Sequence, residues 1–375
     1  MKIVHYSNFI NHHMVWLADE LYALTGGEYF FVCTVNIPES YLKSGYPNYF
    51  DRPYVVKAFE DKGHQLAKEL ALEADVAIFN GNDELHEYRH PRLIKDKLSF
   101  ESGERWLKKG LINLLSPRLL KSQYWYHSKY YKCKNYYALC TSAYMEKDLA
   151  LLHNFKGKCF KWGYFTKVDD FEVESKMFTG SKLMWVNRFI DWKHPEMPIL
   201  LAKMLMNKGY SFCIDMFGNG VLHQKMVLLS KQLGLEDIVH FRGNIPNAQI
   251  IDEMRHHDIV MSTSDKNEGW GAVVNEAMSN GCVLVGSDAV GSVPFLVKHN
   301  ENGLVFKACD IQSLCDCVES VLGDASKCKE IAKNALNTMK YLWSPSNAAK
   351  SFVELSSSLI EYREPCIKDG PCSRI

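Results

Sequence analysis

Two glutamates, Glu268 and Glu276, form the most informative pattern in this sequence of 375 residues. Seven residues separate them, and a Gly-Trp-Gly tripeptide follows the first of them directly. The glycines leave the first N–H groups of the next helix open to an incoming anion. The pattern therefore predicts an anion-binding helix start between two carboxylates.

The segments around this pattern predict where it lies in a fold. Residues 257–261 and 282–286 read as short buried strands, and the apolar run between them ends at Asn280 and Gly281, a typical helix C-terminus. Glu268 is expected in a loop at the carboxyl end of a strand, with Glu276 about one and a half turns inside the following helix. In doubly wound sheets, ligands bind in this crevice.

The pattern resembles the E-x7-E signature of retaining glycosyltransferases of family four, which have the GT-B fold. The resemblance implies an α/β protein with two Rossmann-like domains that face each other across a cleft. It implies that Glu276 holds the ribose hydroxyls of a nucleotide sugar and that Glu268 is catalytic beside the transferred sugar. The segment Gly269, Trp270 and Gly271 is expected to bind sugar hydroxyls and phosphate.

Other family positions follow in order along the chain. Arg188 and Lys193 come after a strand-like run and stand where family members hold the donor diphosphate. No Asp-x-Asp pair is present to hold a metal there, so two cations are expected to stabilise the leaving group without a metal or cofactor. The resemblance adds Gly218, Arg242 and Asn244 to the nucleotide site, with UDP favoured over GDP.

The first half of the chain supplies candidates for the acceptor site. A subset of bacterial polysaccharide transferases has the same Asn-His-His and Glu-Arg-Trp segments, which predicts that Asn11, His12, Glu104 and Arg105 bind the acceptor. One of the two histidines, with His13 preferred, is expected to be catalytic by orienting the acceptor hydroxyl or contacting the donor sugar. The alternative is that a histidine only caps the helix. Residues 80–82 are a further candidate for hydrogen bonds to sugar.

The resemblance divides the chain into two domains. Residues 1–165 are expected to form an acceptor-binding Rossmann-like domain, and residues 180–342 a nucleotide-sugar-binding one. A helix over residues 346–362 is expected to pack back on the first domain, and residues 364–375 read as a loose tail. Apolar residues make up 47% of the sequence, enough for two cores.

Charge is distributed unevenly although the formal net charge is zero. Between Arg89 and Tyr136 there are twelve basic residues and three acidic ones, interleaved with leucines and aromatic residues. Such a stretch is suited to an anionic membrane surface. An ordinary solvated helix face is the alternative, and nucleic-acid binding is disfavoured because no nucleic-acid motif is present.

Location and redox state are also predicted. No uninterrupted apolar run reaches the roughly 18–20 residues that span a bilayer, and a strand-like segment instead of a signal peptide begins the sequence. The twelve cysteines form no Cys-x-x-Cys pair and several lie in strand-like runs, which favours reduced thiols. A cytoplasmic protein, peripheral on the inner face of the cell membrane, is expected.

The resulting hypothesis is a retaining, metal-independent hexosyltransferase. Its partners would be a nucleotide-diphosphate sugar and a growing glycan on a lipid carrier, in the synthesis of a bacterial surface polysaccharide such as capsule or lipopolysaccharide. Two alternatives remain open: a nucleotide-sugar 2-epimerase of the same fold, and a non-catalytic subunit that binds a sugar nucleotide. A dehydrogenase is disfavoured because no Gly-x-Gly-x-x-Gly follows the first strand.

Overall fold

The protein is described by a computed structural model that covers residues 1–43, 45, 47–81 and 85–375. The chain is divided into two compact units. The first unit contains Met1–Lys167 and Leu342–Ile375, and the second contains Val168–Tyr341. Each unit has its own parallel sheet.

The sheet of the first unit has seven strands in the order β3-β2-β1-β4-β5-β6-β7, and every neighbouring pair is parallel. The strands are β1 Ile3–Ser7, β2 Tyr29–Cys33, β3 Val55–Lys57, β4 Val76–Asn80, β5 Ser99–Gly103, β6 Tyr136–Cys140 and β7 Cys159–Lys161. The helices between them are α1 Val15–Leu24, α2 Glu39–Lys43, α3 Asp61–Glu73, α4 His86–Leu93, α5 Pro117–Trp125 and α6 Met145–Leu151. A 3-10 helix, Gly110–Leu115, precedes α5, and a π-helical turn, Tyr126–Tyr130, follows it.

The second unit repeats this plan with six parallel strands in the order β10-β9-β8-β11-β12-β13. They are β8 Lys182–Val186, β9 Cys213–Phe217, β10 Val239–Gly243, β11 Ile259–Ser262, β12 Val283–Ser287 and β13 Leu304–Phe306. The helices are α7 Glu196–Asn207, α8 His223–Gln232, α9 Asn247–His256, α10 Val273–Ser279, α11 Val293–Leu296, α12 Ile311–Glu319 and α13 Ala325–Asn337. Short 3-10 helices span Val173–Ser175 and Asp191–Lys193, and a π-helical turn spans Thr338–Leu342.

These two sheets confirm the predicted fold class of two Rossmann-like α/β units. Central strands such as Ile3–Ser7 and Val283–Ser287 are buried along their whole length, as expected for parallel strands covered on both faces. Strand order reverses between β1 and β4 in the first unit and between β8 and β11 in the second. Ligands bind outside the carboxyl ends of strands at such reversals, so a ligand site is expected at the loops after these four strands.

The C-terminal residues correct one expectation. The last helix, α14 Pro345–Ile360, packs against α1, but the segment after it is not a loose tail. Cys372 and Ser373 are buried, and their backbone exchanges hydrogen bonds of 2.8 Å with Lys161 of β7. The segment therefore covers the exposed edge of the sheet, a site that polar, non-periodic sequence does not reveal.

Candidate functional site

The loops after β8 and β11 bring two of the predicted catalytic side chains into contact. The ammonium of Lys193 forms an ion pair with the carboxylate of Glu268. Backbone contacts hold the two loops together: the Thr263 hydroxyl donates to the Lys193 carbonyl at 2.6 Å, and the Asp265 N–H donates to the Trp192 carbonyl at 3.0 Å. Lys193 is only 8% exposed, so its charge is held in place at the strand-order reversal.

Arg188 lies in the same loop and remains exposed. Its guanidinium stands 5.8 Å from the ring centre of Trp192, beside Lys193 in sequence. A neighbouring loop supports this one through Gly218, where an added Cβ would lie 2.0 Å from the Asn187 carbonyl. The positive φ and this close approach explain the glycine. Gly218 therefore positions the Arg188 loop.

The Gly-Trp-Gly segment turns the chain into α10. Gly271 has φ of 84°, and an added Cβ there would meet Val290 at 2.6 Å. Trp270 is fully buried, and its indole N–H donates to the Asn275 side chain at 2.7 Å. Contacts from Gly269, Trp270 or Gly271 to a donor must therefore come from backbone groups.

Glu276 lies in the first turn of α10, not about one and a half turns inside it, because the helix begins only at Val273. The Asn247 amide donates to its carboxylate at 3.1 Å. Burial raises the pKa of Glu276 to about 7, although the Asn247 hydrogen bond opposes the shift. A carboxyl in this state can lose its proton when hydroxyl donors arrive. Asn247 has no sequence signal that points to this role.

Arg242 and Asn244 follow β10. Asn244 is exposed, whereas the Arg242 Nε–H donates to Asp215 at 2.8 Å. His257 Nε2 lies 2.9 Å from the other Asp215 oxygen. Although burial opposes ionisation, these contacts from His257 and Arg242 lower the pKa of Asp215 to about 2. Arg242 is therefore oriented by a permanent carboxylate, a pairing that sequence reasoning missed.

The first unit has a cavity of about 650 Å³ at the carboxyl ends of β1, β4 and β5. Its lining is mostly polar or charged, with the residues Ser7, Asn8, Asn11, Met14, Thr34, Asn80, Gly81, Leu85, Arg89, Glu101, Ser102, Gly103, Glu104, Arg105, Trp106, Lys108, Asn113, Ser116, Arg118, Leu119, Ser122 and Tyr164. It coincides with the strand-order reversal of this sheet. Of the candidate segment 80–82, Asn80 and Gly81 line the cavity and Asn82 lies outside the described residues.

Three of the predicted acceptor residues line this cavity: Asn11, Glu104 and Arg105. Glu104 accepts a hydrogen bond of 2.7 Å from the Tyr164 hydroxyl and pairs with Lys108. Arg105 is anchored from behind by an ion pair of 3.0 Å with Asp148. Both charges are therefore held in fixed positions on the wall.

A buried ion pair in the cavity was missed by sequence reasoning. Arg89 donates to Glu101 Oε2 at 2.6 Å, and the Tyr136 hydroxyl donates to the same oxygen at 2.6 Å. In the sequence, Arg89 is one of the twelve basic residues of the stretch between Arg89 and Tyr136, and Glu101 directly follows a short strand-like segment, residues 98–100. Arg89 lies on α4, Glu101 on β5 and Tyr136 on β6, and only the folded chain brings these three side chains together.

The two candidate histidines are not among the residues that line the cavity. His12 Nδ1 lies 2.9 Å from the Tyr41 hydroxyl, and the His13 ring stacks on Tyr164 with centroids 5.0 Å apart. Burial lowers the pKa of His12 to about 4 and that of His13 to about 3, with the neighbouring His12 adding to the latter shift. Both are therefore neutral at pH 7, suited to hydrogen bonding and not to neutralising a phosphate. The Asn11 side chain accepts from the His13 N–H at 2.9 Å.

The basic stretch separates into buried and exposed parts. Arg92 is fully buried and donates to Ser99 and to four backbone carbonyls, those of Ala71, Ala74, Asp75 and Leu98. By contrast, the 3-10 helix before α5 and α5 itself contain no buried residue. The large apolar side chains exposed on them are Leu111, Ile112, Leu114, Leu115, Leu120 and Tyr124. Exposed cations lie on or near them at Lys109, Arg118, Lys121, Lys129, Lys132 and Lys134.

Among the residues that the structure describes, no group of three or more His, Cys, Asp or Glu side chains is arranged to hold a metal ion. No helix in the same part of the chain combines the length and apolar character needed to cross a bilayer.

The second unit is similar to a known protein family. Residues 169–338 match the family described as Glycosyl transferases group 1. An exopolysaccharide phosphotransferase of Streptomyces coelicolor is 23% identical over 157 residues, which are 42% of this chain and 16% of that protein. A poly(glycerol-phosphate) alpha-glucosyltransferase of Bacillus subtilis is 27% identical over 150 residues, 40% of this chain and 22% of that protein. The matched regions thus span less than a quarter of these two curated relatives.

A solved structure matches both units. HepE of Anabaena, in complex with UDP, has a TM-score of 0.68 and 15% identity, with 96% of this chain and 100% of that chain covered. At this identity the likeness establishes the fold, which is the GT-B type with two parallel-sheet Rossmann-like units. Together with the group 1 domain, it supports a GT-B glycosyltransferase.

Proposed function

We propose that the protein is a retaining, metal-independent hexosyltransferase that moves a hexose from a nucleotide-diphosphate sugar to a glycan on a lipid carrier, in polysaccharide synthesis. The observation that carries the proposal is the contact between Lys193 and Glu268, with Arg188 in the same loop, at the strand-order reversal of the second unit. UDP is the favoured nucleotide, in keeping with the UDP bound to the structurally similar HepE.

Each charge has a role in this reaction. The bond from the sugar's anomeric carbon to the diphosphate breaks, and the acceptor hydroxyl attacks on the same face and gives its proton to the departing diphosphate. Arg188 and Lys193 stabilise the charge that develops on the leaving group. Glu268 holds the Lys193 ammonium and lies beside the sugar, and Glu276 accepts the ribose hydroxyls. No metal ion is required for these steps.

To identify the donor, a panel of UDP and GDP sugars is incubated with the full chain. The release of free nucleotide and free sugar is then measured. We expect slow hydrolysis of one donor that EDTA does not change. Loss of activity in EDTA with recovery in manganese would refute the metal-independent mechanism. Conversion of the donor to its 2-epimer would identify the epimerase, and tight binding without turnover would identify the non-catalytic subunit.

The exposed apolar and basic surface formed by residues 109–125 is the part of the protein that would dock on a membrane. Leucine side chains beside lysines fit the interface of an anionic bilayer, where each basic residue contributes about 1 kcal/mol. The protein would then work on the cytoplasmic face of the cell membrane as a peripheral protein. The cavity of the first unit opens among some of these residues, as an acceptor site for a lipid-linked glycan requires.

Vesicle sedimentation tests this docking. Replacement of Lys109 and Lys121 of this surface, and of Lys129 in the turn just after it, with glutamate should release the protein from vesicles that contain phosphatidylglycerol. The matched control replaces three exposed lysines of the second unit, Lys225, Lys231 and Lys298, and should stay bound. Equal binding of both triple variants would show that the surface is an ordinary solvated face.

A further inference from the structure

His194 directly follows Lys193 in the chain and contacts two acidic side chains. Its Nδ1 lies 2.8 Å from Oε1 of Glu196, the first residue of α7. Its Nε2 lies 3.6 Å from Oδ2 of Asp265, in the loop after β11. The ring therefore lies between two carboxylates, one close to it in the chain and one from the loop that also carries Glu268.

Asp265 connects this ring to Glu268. Its side chain accepts the Asn267 N–H at 2.8 Å, and its carbonyl accepts the Glu268 N–H at 3.0 Å. Its own N–H donates to the carbonyl of Trp192, in the loop that carries Lys193, at 3.0 Å. A displacement of Asp265 would therefore move the turn before Glu268 relative to Lys193.

The backbone of His194 has a conformation that few side chains adopt. Its φ of 48° and ψ of 58° lie in the left-handed region. A residue other than glycine keeps such a conformation only where its surroundings hold it, and such residues cluster at functional sites. The His194 N–H donates to the Asp191 carbonyl at 3.1 Å, and the Thr263 hydroxyl donates to the preceding Lys193 carbonyl at 2.6 Å. The position of the ring is therefore fixed by both loops.

The charges around the ring favour its protonated form. The hydrogen bond to Glu196 raises the pKa of His194 against the effect of burial, and the charges of Glu196 and Asp265 add to the rise. Lys225 contributes a positive charge near Glu196. The Cys309 thiol lies 3.5 Å from Nε2, and burial together with the nearby acids raises its pKa, so it is neutral. His194 therefore keeps its proton to higher pH than an ordinary histidine.

We propose that His194 is a positioning residue for the contact between Lys193 and Glu268. As an imidazolium it bridges the carboxylates of Glu196 and Asp265, and this bridge fixes the loop after β11 against the loop after β8. Loss of the proton removes the attraction to both carboxylates, so the turn that carries Glu268 loosens. The inference rests on the proposed function and deepens it, because it makes the donor site dependent on pH.

The direction of the pH dependence follows from the raised pKa. Such a histidine has its full effect below the ordinary value of 6.5, and the effect is lost as pH rises through the raised pKa. At saturating donor, where changes in donor affinity do not alter the rate, kcat for donor hydrolysis should therefore fall on the alkaline side of pH 6.5.

Replacement of the ring tests this dependence. His194→Asn keeps a residue type that tolerates the left-handed conformation but cannot carry the charge. It should lower kcat by up to about 10²-fold, the cost of displacing a reacting group by roughly 1 Å. The remaining rate should lack the alkaline fall.

Two neighbouring variants provide the matched comparison. Glu196→Gln removes the closer carboxylate, so the pKa of His194 should be lower and the fall in kcat should begin at lower pH. Cys309→Ser removes the thiol and keeps a side chain of similar shape, so the fall should stay where it is in the unaltered protein. A fall that moved in Cys309→Ser and not in Glu196→Gln would assign the titration to the thiol and overturn the proposal. Glu196→Gln keeps the test decisive if His194→Asn does not fold.

NMR titration of the histidine ring protons gives a readout that does not depend on activity. The signal that is missing from His194→Asn identifies His194, and we expect it to titrate above pH 6.5 in the unaltered protein. Titration at or below that value would overturn the proposal. Hydrolysis whose kcat kept its alkaline fall in His194→Asn would refute this proposal alone, whereas absence of hydrolysis and of nucleotide binding in the unaltered protein would refute the proposed function.

Discussion

The two sheets reverse their strand order in the same way, but the loops at the two reversals are arranged differently. At β8 and β11 the loops are packed together, with Lys193 against Glu268 and the Gly218 backbone against Asn187. At β1 and β4 the loops leave a cavity of about 650 Å³ between polar side chains. Topology therefore sets where a ligand binds, while loop packing sets whether the site holds one charge tightly or admits a larger group.

The charges of the two regions differ in the same sense. In the second unit the cations lie in one loop, and Arg188 remains exposed for an anion. Among the described residues that line the cavity of the first unit, Arg89, Arg105 and Lys108 are paired with carboxylates, so the cavity offers mainly hydrogen-bond groups, and Arg118 is the lining cation without an ion pair. The loop of the second unit suits a diphosphate, and the cavity of the first unit suits a sugar.

The largest effect is expected at the packed loops. Arg188→Ala or Lys193→Ala should lower turnover about 10²–10³-fold, the loss of one donor that stabilises a developing charge. Steady-state rates of donor hydrolysis measure this, with Lys298→Ala as the control on an exposed lysine of the same unit. A normal rate in both loop variants would mean that the packed loops are not where the diphosphate departs.

Next in size is the loss of a buried arginine from the first unit. Arg92→Met should lower the free energy of unfolding by about 3 kcal/mol, because several buried carbonyls lose their donors together. Urea denaturation measures the change. Lys95→Met is the control, since Lys95 is exposed just after the same helix and should change stability by less than about 0.5 kcal/mol. Similar losses in both would contradict the division of the basic stretch into buried and exposed parts.

The two glutamates of the packed site should separate by nucleotide binding. Glu276→Ala should weaken UDP or GDP binding by about 1.5–3 kcal/mol, because the ribose hydroxyls lose a charged acceptor. Glu268→Gln should lower kcat and leave nucleotide affinity nearly unchanged, since these ligands lack the sugar. Equal losses of nucleotide affinity in both variants, measured by calorimetry, would contradict the position assigned to the Glu268 loop beside the sugar.

The smallest effect is a pH dependence of the same contact. With a pKa of about 7 in the empty site, Glu276 is largely protonated at pH 6 and ionised at pH 8, and ribose hydroxyls favour the ionised form. Affinity for a nucleotide sugar, whose diphosphate diester does not titrate here, should fall about 10-fold from pH 8 to pH 6. Glu276→Gln should abolish this dependence. A pH-independent affinity of the unaltered protein would remove Glu276 from the ribose site.

The same pKa shift has a consequence for stability. The pKa of Glu276 is raised from 4.5 to about 7 by burial, so the unfolded chain releases this proton at lower pH than the folded chain. The contribution of Glu276 to stability therefore falls as pH rises from about 4.5 to 7. A bound ribose would offset this cost.

Much of the fold was predictable because parallel strands are short, apolar and bounded by loops. The runs that became β1, β2, β6, β8, β11 and β12 are of this kind. Edge strands β3 and β7 have only three residues each, too few to show a pattern. The start of α10 was misplaced because Gly271 takes a left-handed conformation and delays the helix.

The fold class and the order of the loops that carry Arg188, Lys193, Glu268 and Glu276 could be predicted from the sequence, because these features depend on local patterns of apolar, glycine and charged residues. Which charges are available to a ligand depends instead on contacts that only the folded chain makes. Arg89, Arg92 and Arg118 look alike in the sequence, yet one pairs with Glu101, one is fully buried among carbonyls and one is exposed at the cavity. The physical reason is that burial and pairing depend on neighbours distant in the chain, which strand order and helix packing bring together.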